Sequence, residues 1–233
     1  MKYSFLATFD LASKLIEKNP VFYLTYLLIH SAFFYSFYLF IYFYLHFEVF
    51  YILELGTLVI ILFGIFLFLF CYTRINVWAM TELKTSLKDP SHQLSFRHWN
   101  RYPILWGGTT LCMSMYMGLT LLLGICLFVP YLVYTTFFFF QPVVIALYPN
   151  EVPIAYWEKV KETVVQSKDI RWNLAIFNIA TLLITASLVL RVSYLNLNSF
   201  LSIGLITIIF SLNPIFKYTV GTLYFYQNWE SLE

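Results

Sequence analysis

The stretch that decides the fold is residues 126 to 178, CLFVPYLVYTTFFFFQPVVIALYPNEVPIAYWEKVKETVVQSKDIRWNLAIFN. A long apolar run carries Gln141-Pro142 at its middle and closes at Tyr148-Pro149. A short charged amphipathic segment follows, and the chain then re-enters apolar sequence. That order is a membrane span, a cytoplasmic surface helix and the start of another span. Composition makes the assignment general. The 233 residues are 61% hydrophobic and 11% charged, with a mean hydropathy of +0.75, whereas soluble domains carry about 25% charge. A chain this apolar takes the bilayer as its solvent.

Composition also narrows function. A net charge of +2 gives no electrostatic footprint for nucleic acid. Cys71, Cys112 and Cys126 show neither CxxC nor Cys/His spacing, so neither a disulfide framework nor a zinc site is signalled. Lys2, Asp10, Lys14, Glu17 and Lys18 interrupt the first twenty residues, which argues against a cleaved secretory signal. The 25 Phe and 19 Tyr are read as lipid-facing side chains and as the product of an A+T-rich genome.

Outward from the central stretch, residues 2 to 18 place Phe5, Phe9, Ala12 and Ile16 on one stripe, an interfacial helix ended by Asn19-Pro20. Spans are expected at about 21–45, 49–72, 104–123, 130–148, 172–190 and 200–217, giving an all-α polytopic bundle in a single membrane domain. Glu54 falls in the first turns of span two, near the interface. Residues 74–103 and 150–171 form the two charged cytoplasmic segments. In the first, Ile75, Ala79, Leu83 and Leu87 mark a second surface helix that stops at Asp89-Pro90. In span three, Thr110, Ser114 and Gly118 form a small-residue stripe of the kind that lets helices approach. Beyond span six, Tyr218, Tyr224, Tyr226 and Trp229 suggest an interfacial aromatic belt.

Thirteen of the 14 Lys and Arg lie on one side of this arrangement, with Arg191 alone on the other. The positive-inside rule then puts both termini in the cytoplasm. Lys217, about 25 Å down span six, is expected to snorkel to the inner interface.

Three buried polar candidates stand inside the spans: Gln141, Asn178 and Asn213. Gln141 and Asn213 precede prolines, which free a carbonyl one turn back. All three fall in the cytoplasmic half, roughly 9 to 15 Å below the inner interface, with Thr181 and Thr185 extending the Asn178 face. They act either as interhelical hydrogen bonds, worth about 0.6 to 2 kcal/mol each, or as a small polar pocket. At the surface, Arg97, Trp99 and Arg101, with Lys159, Lys161 and Arg171, suit anionic headgroups or a partner protein. His92 and His98 lack a third metal ligand in the sequence, and His30 is read as a hydrogen-bonded helix contact. No HExxH, GxSxG or Gly-rich phosphate loop occurs. No cofactor and no metal are expected.

Two motifs carry a resemblance: FVPYLVYTTFFFFQPVVIALYPNEVPIAYWEKVKETVVQSKDIRWNLAIFN and NPIFKYTVGTLYFYQNW. They resemble the bacterial six-helix inner-membrane proteins of the YciC type, related to the membrane domain of glycerophosphodiester phosphodiesterases. The likeness covers most of the chain in architecture and residues 126–178 and 213–229 in motif. This chain has Pro130-Tyr131 where that group often has Pro-Gly. The resemblance implies a six-helix protein of the bacterial inner membrane without assigned catalysis, and it carries over no functional residue. The leading expectation is a non-enzymatic accessory, assembly or bilayer-organising factor of a larger membrane complex. Its partners would be the bilayer and other membrane proteins or a second copy. The alternative is a small transporter or lipid-translocating module using the buried amides. An enzyme would need a titratable cluster such as His92, His98 and Glu82.

Overall fold

A computed structural model describes residues 4–46, 55–95, 115–116, 118–120, 128–147, 158, 168–195 and 197–228. Seven helices run through them: α1 (Phe5–Lys18), α2 (Pro20–His46), α3 (Leu55–Lys88), α4 (Phe128–Phe137), α5 (Gln141–Leu147), α6 (Lys168–Tyr194) and α7 (Ser199–Asn228). No strand occurs among the described residues. Five stretches are long and apolar enough to cross a membrane: Pro20–Phe40, Leu62–Lys88, Val129–Leu147, Ile170–Tyr194 and Ser199–Asn228. They answer five of the six expected spans. The third lies mostly outside the described residues, where only 115–116 and 118–120 are helical. Its Thr110 and Ser114 also lie outside. At Gly118 no described atom lies within 4 Å of the position of a Cβ.

The two long helices set the shape. At 34 and 30 residues, α3 and α7 are about 51 and 45 Å long, while the hydrocarbon core is about 30 Å thick. Both are therefore longer than a single crossing needs, and α3 carries Glu82, Lys84 and Lys88 at its C-terminal end. This corrects the expected surface helix at 74–88. No Gly or Pro interrupts the chain between Cys71 and Lys88, so span two continues unbroken through Arg74. Its second half is buried rather than laid on the membrane: Ile75, Val77, Trp78, Ala79, Met80 and Leu83 are all core. The helix stops at Asp89-Pro90, as expected. There Ser91 donates from Oγ and N to Asp89 Oδ1 at 2.6 and 2.9 Å, which holds that carboxyl below the usual carboxylate range.

That end is a packed core. α7 is its axis and contacts α1, α2, α3, α5 and α6. Beyond the expected end of span six, where an aromatic belt was expected, residues 218–225 are all buried, Tyr226 is half-buried, and Trp229 lies outside the described residues. Gly221 allows this, because a Cβ there would lie 3.0 Å from Val143 Cγ2 and 3.4 Å from the Phe139 ring. α1 is likewise part of this core and not simply an interfacial helix. It buries Phe5, Thr8 and Ala12, with the Phe5 ring set edge-on to Phe139 and Phe177. Many of the aromatic residues read as lipid-facing thus point inward. Phe140 stacks on Tyr224 at 5.5 Å between ring centres. Polar ties cross the same region: Thr8 Oγ1 donates to Gln227 Oε1 at 3.3 Å and Lys84 Nζ to the Leu147 carbonyl at 3.4 Å. The second of these caps the C-terminus of α5 with a cation.

Span four is broken, which the sequence reading treated as continuous. Pro142 has no N–H for the Phe138 carbonyl. That carbonyl accepts instead from Gln141 N at 3.1 Å, and residues 138–140 turn between α4 and α5. The second charged segment lies mostly outside the described residues, but Lys168 and Arg171 open α6 rather than ending that segment.

Candidate functional site

Away from the packed end, α6 and α7 separate. Phe177 and Phe216 stack at 6.1 Å, so Asn178 and Lys217, the next residues on each helix, sit at one level. From there α6 presents Asn178, Thr181, Leu182, Thr185, Ala186 and Val189 along one stripe at spacings of three and four. α7 presents Phe210, Asn213, Pro214, Lys217 and Tyr218 in the same way. Between them, closed by Phe68 and Tyr72 of α3, Tyr131 of α4 and Tyr116, lies a cavity of about 730 Å³. That is within the usual range for small-molecule sites, about 300–1,000 Å³. Along α6, from Asn178 to Leu190, it extends about 18 Å.

The two ends of the cavity differ. Asn178, Asn213, Lys217 and Tyr72 gather at one end, and Val189, Leu190 and Phe210 line the other. Phe210 is 50% exposed and Leu190 59% exposed while both line the cavity. The apolar end therefore opens at the side of the bundle, where lipid chains would lie.

Of the three expected amides, the structure brings two together. Asn178 and Asn213 line the cavity, with Thr181 and Thr185 continuing the Asn178 face. Asn178 is buried and donates from Nδ2 to Thr136 Oγ1 at 3.3 Å, so it also ties α6 to α4. Gln141 does not reach the cavity. It opens α5 against α3 and α7, and its Oε1 is buried with no hydrogen-bond partner among the described residues.

Lys217 corrects the expectation of snorkelling. Its ammonium lies 5.0 Å from the centre of the Phe139 ring, a cation–π distance, and lines the cavity. It stands about 27 Å from the start of α7, a distance shorter than the hydrocarbon core is thick. The sequence reading took it as an anchor because a lysine near a span end usually finds headgroups. The signal it passed over was Asn213, one turn away on the same face.

Among the surface candidates, Arg97, Trp99, Arg101, Lys159 and Lys161 lie outside the described residues, as do Glu54 and His98. Arg171 is half-buried and, with exposed Trp172, borders a second hollow of about 380 Å³ between α4 and α6. His92 Nε2 pairs with Glu82 Oε2 at 2.8 Å, and Glu82 is fully buried. Among the described residues no three His, Cys, Asp or Glu gather as for a metal. His30 is buried among rings, 4.6 Å from Tyr72 and 5.3 Å from Phe34. Sequence reasoning missed Asn76, fully buried on α3, which accepts from Tyr26 Oη and donates to the Tyr72 carbonyl at 2.8 Å.

These features define an all-α protein of the membrane-spanning type, with an internal chamber polar at one end and apolar at the other. No known family model matches the chain, and no curated protein or solved structure does.

Proposed function

We propose that this is a protein of the bacterial cytoplasmic membrane, both termini inside, that receives a small amphiphilic molecule from the bilayer and does not transform it. The observation that carries this reading is the cavity of about 730 Å³, apolar and side-open at one end and polar at the other. Holding, handing on or translocating a lipid-like molecule needs that asymmetry. A path for a polar solute fits less well, because Gln141 lies elsewhere and the far end is apolar. The orientation is supported by the thirteen cations on one side, and the six-helix plan by the YciC-type resemblance of residues 126–178 and 213–229.

The second reading is an accessory or assembly subunit. The exposed row Val59, Leu62, Phe63 and Phe66 on α3 favours it, since such a stripe seats a partner helix as well as lipid.

Purification from the native membrane in mild detergent, followed by mass spectrometry of proteins and lipids, separates the two. A retained amphiphile at one per chain supports the chamber. A stoichiometric protein partner with no retained small molecule overturns it in favour of the subunit. Orientation is checked by thiol labelling: cysteines at Ser193 and Ser199 should react from outside, and one at Ser91 only after permeabilisation.

A further inference from the structure

Among the described residues, the cavity's polar end holds a cation and no anion. Lys217 lines it, and among the described residues no Asp or Glu does. Lys217 sits against the Phe139 ring rather than a carboxylate. Asn213, one turn earlier on the same face of α7, makes no hydrogen bond to another described residue. The nearby hydroxyls are differently engaged. Thr181 donates to the Phe177 and Asn178 carbonyls at 2.9 and 3.0 Å, and Thr185 to the Thr181 carbonyl at 2.8 Å. Asn178 spends a donor on Thr136. Tyr72, Tyr116, Tyr131 and Tyr218 also bring ring hydroxyls to the wall, and Lys217 and Asn213 add a cation and an amide at the polar end. Pro214, between them, also leaves the Phe210 carbonyl without its helical partner.

A charged side chain at hydrocarbon depth is costly without a counter-charge. Among the described residues none faces Lys217, so the counter-charge is assigned to whatever occupies the cavity. Resting on the chamber reading above, we propose that the occupant is a single-chain anionic amphiphile. Its head, a carboxylate or a phosphate, sits on Lys217 and Asn213, and its alkyl chain lies along the α6 stripe toward Val189 and Phe210. Lysine is suited to this as a point charge with three donors. A cation or a neutral head would leave it uncompensated. The two sources of such a head are a fatty acid and a lysophospholipid.

The test uses the full chain in nanodiscs of neutral phosphatidylcholine, titrated by native mass spectrometry. The probes are palmitate, lysophosphatidate, neutral monopalmitoylglycerol and cationic hexadecyltrimethylammonium. At least one anion should bind about tenfold or more tightly than the neutral probe, the scale of a charge-assisted hydrogen bond. Preference for palmitate names the carboxylate, and preference for lysophosphatidate the phosphate. Lys217→Met should bring the anion down to the neutral level while leaving the neutral probe unchanged. Lys217→Arg should keep most of the preference, and Asn213→Leu should lose a few-fold. Equal binding of anion and neutral probe to the natural protein, or a preference that survives Lys217→Met, overturns the anion assignment and leaves the chamber standing. No binding of any probe overturns the chamber itself.

Discussion

Along α7, residues 218–225 are buried without exception, while none of residues 199–206 is. The same contrast runs through the molecule. At the charged end, α1, the tip of α3, α5, the start of α6 and the end of α7 interlock through rings and one close glycine contact. In the middle, α6 and α7 diverge around a hollow walled mostly by aromatic and aliphatic side chains, with Asn178, Asn213 and Lys217 at one end. The difference follows from solvent. Where the bundle leaves the lipid, apolar side chains must be hidden from water and pack densely. Within the bilayer, lipid is as apolar as leucine, so burial against another helix gains little and a cavity costs less.

The sharpest way to break that contrast is to cut into the packed end. Tyr224→Ala or Phe140→Ala should cost about 3 to 5 kcal/mol, seen as a lowered thermal midpoint. A loss under about 1 kcal/mol would mean the end is loosely packed. Next in size, Gly221→Val forces a side chain against Val143 and should cost about 1 to 3 kcal/mol. Gly204→Ala and Gly118→Ala, with open space around them, should stay within about 0.5 kcal/mol. Parallel thermal scans of the three variants give the comparison directly; equal losses would erase it. Comparably small, Asn178→Ala removes one interhelical bond and should cost about 0.6 kcal/mol. Its effect should appear instead in the amphiphile-binding titration.

Much of this was legible in the sequence. Asn19-Pro20 and Asp89-Pro90 end helices where expected, and five spans fall near their expected places. The Asn178, Thr181, Thr185 stripe does line a common space with Asn213. What escaped depends on contacts between distant segments. The charged segment is expected to begin at residue 74, yet nothing there breaks the helix, so α3 runs on through Arg74. Gln141 was grouped with the other amides by depth, but the turn at 138–140 places it on a different helix from the cavity wall. Tyr218 and Tyr224 have the composition of a membrane belt, and only the docking of α1 and α5 turns them into core. Lys217 was assigned by its distance from an interface, whereas the Phe139 ring and the adjacent space decide where its ammonium rests.

The most direct measurement compares the natural protein with Thr185→Phe, which fills the hollow without touching the packed end. Both would be extracted in mild detergent and their bound amphiphiles counted by native mass spectrometry, alongside their thermal midpoints. The account predicts one amphiphile per natural chain, none on Thr185→Phe, and midpoints that agree closely. An equal load on both proteins would contradict a chamber between α6 and α7.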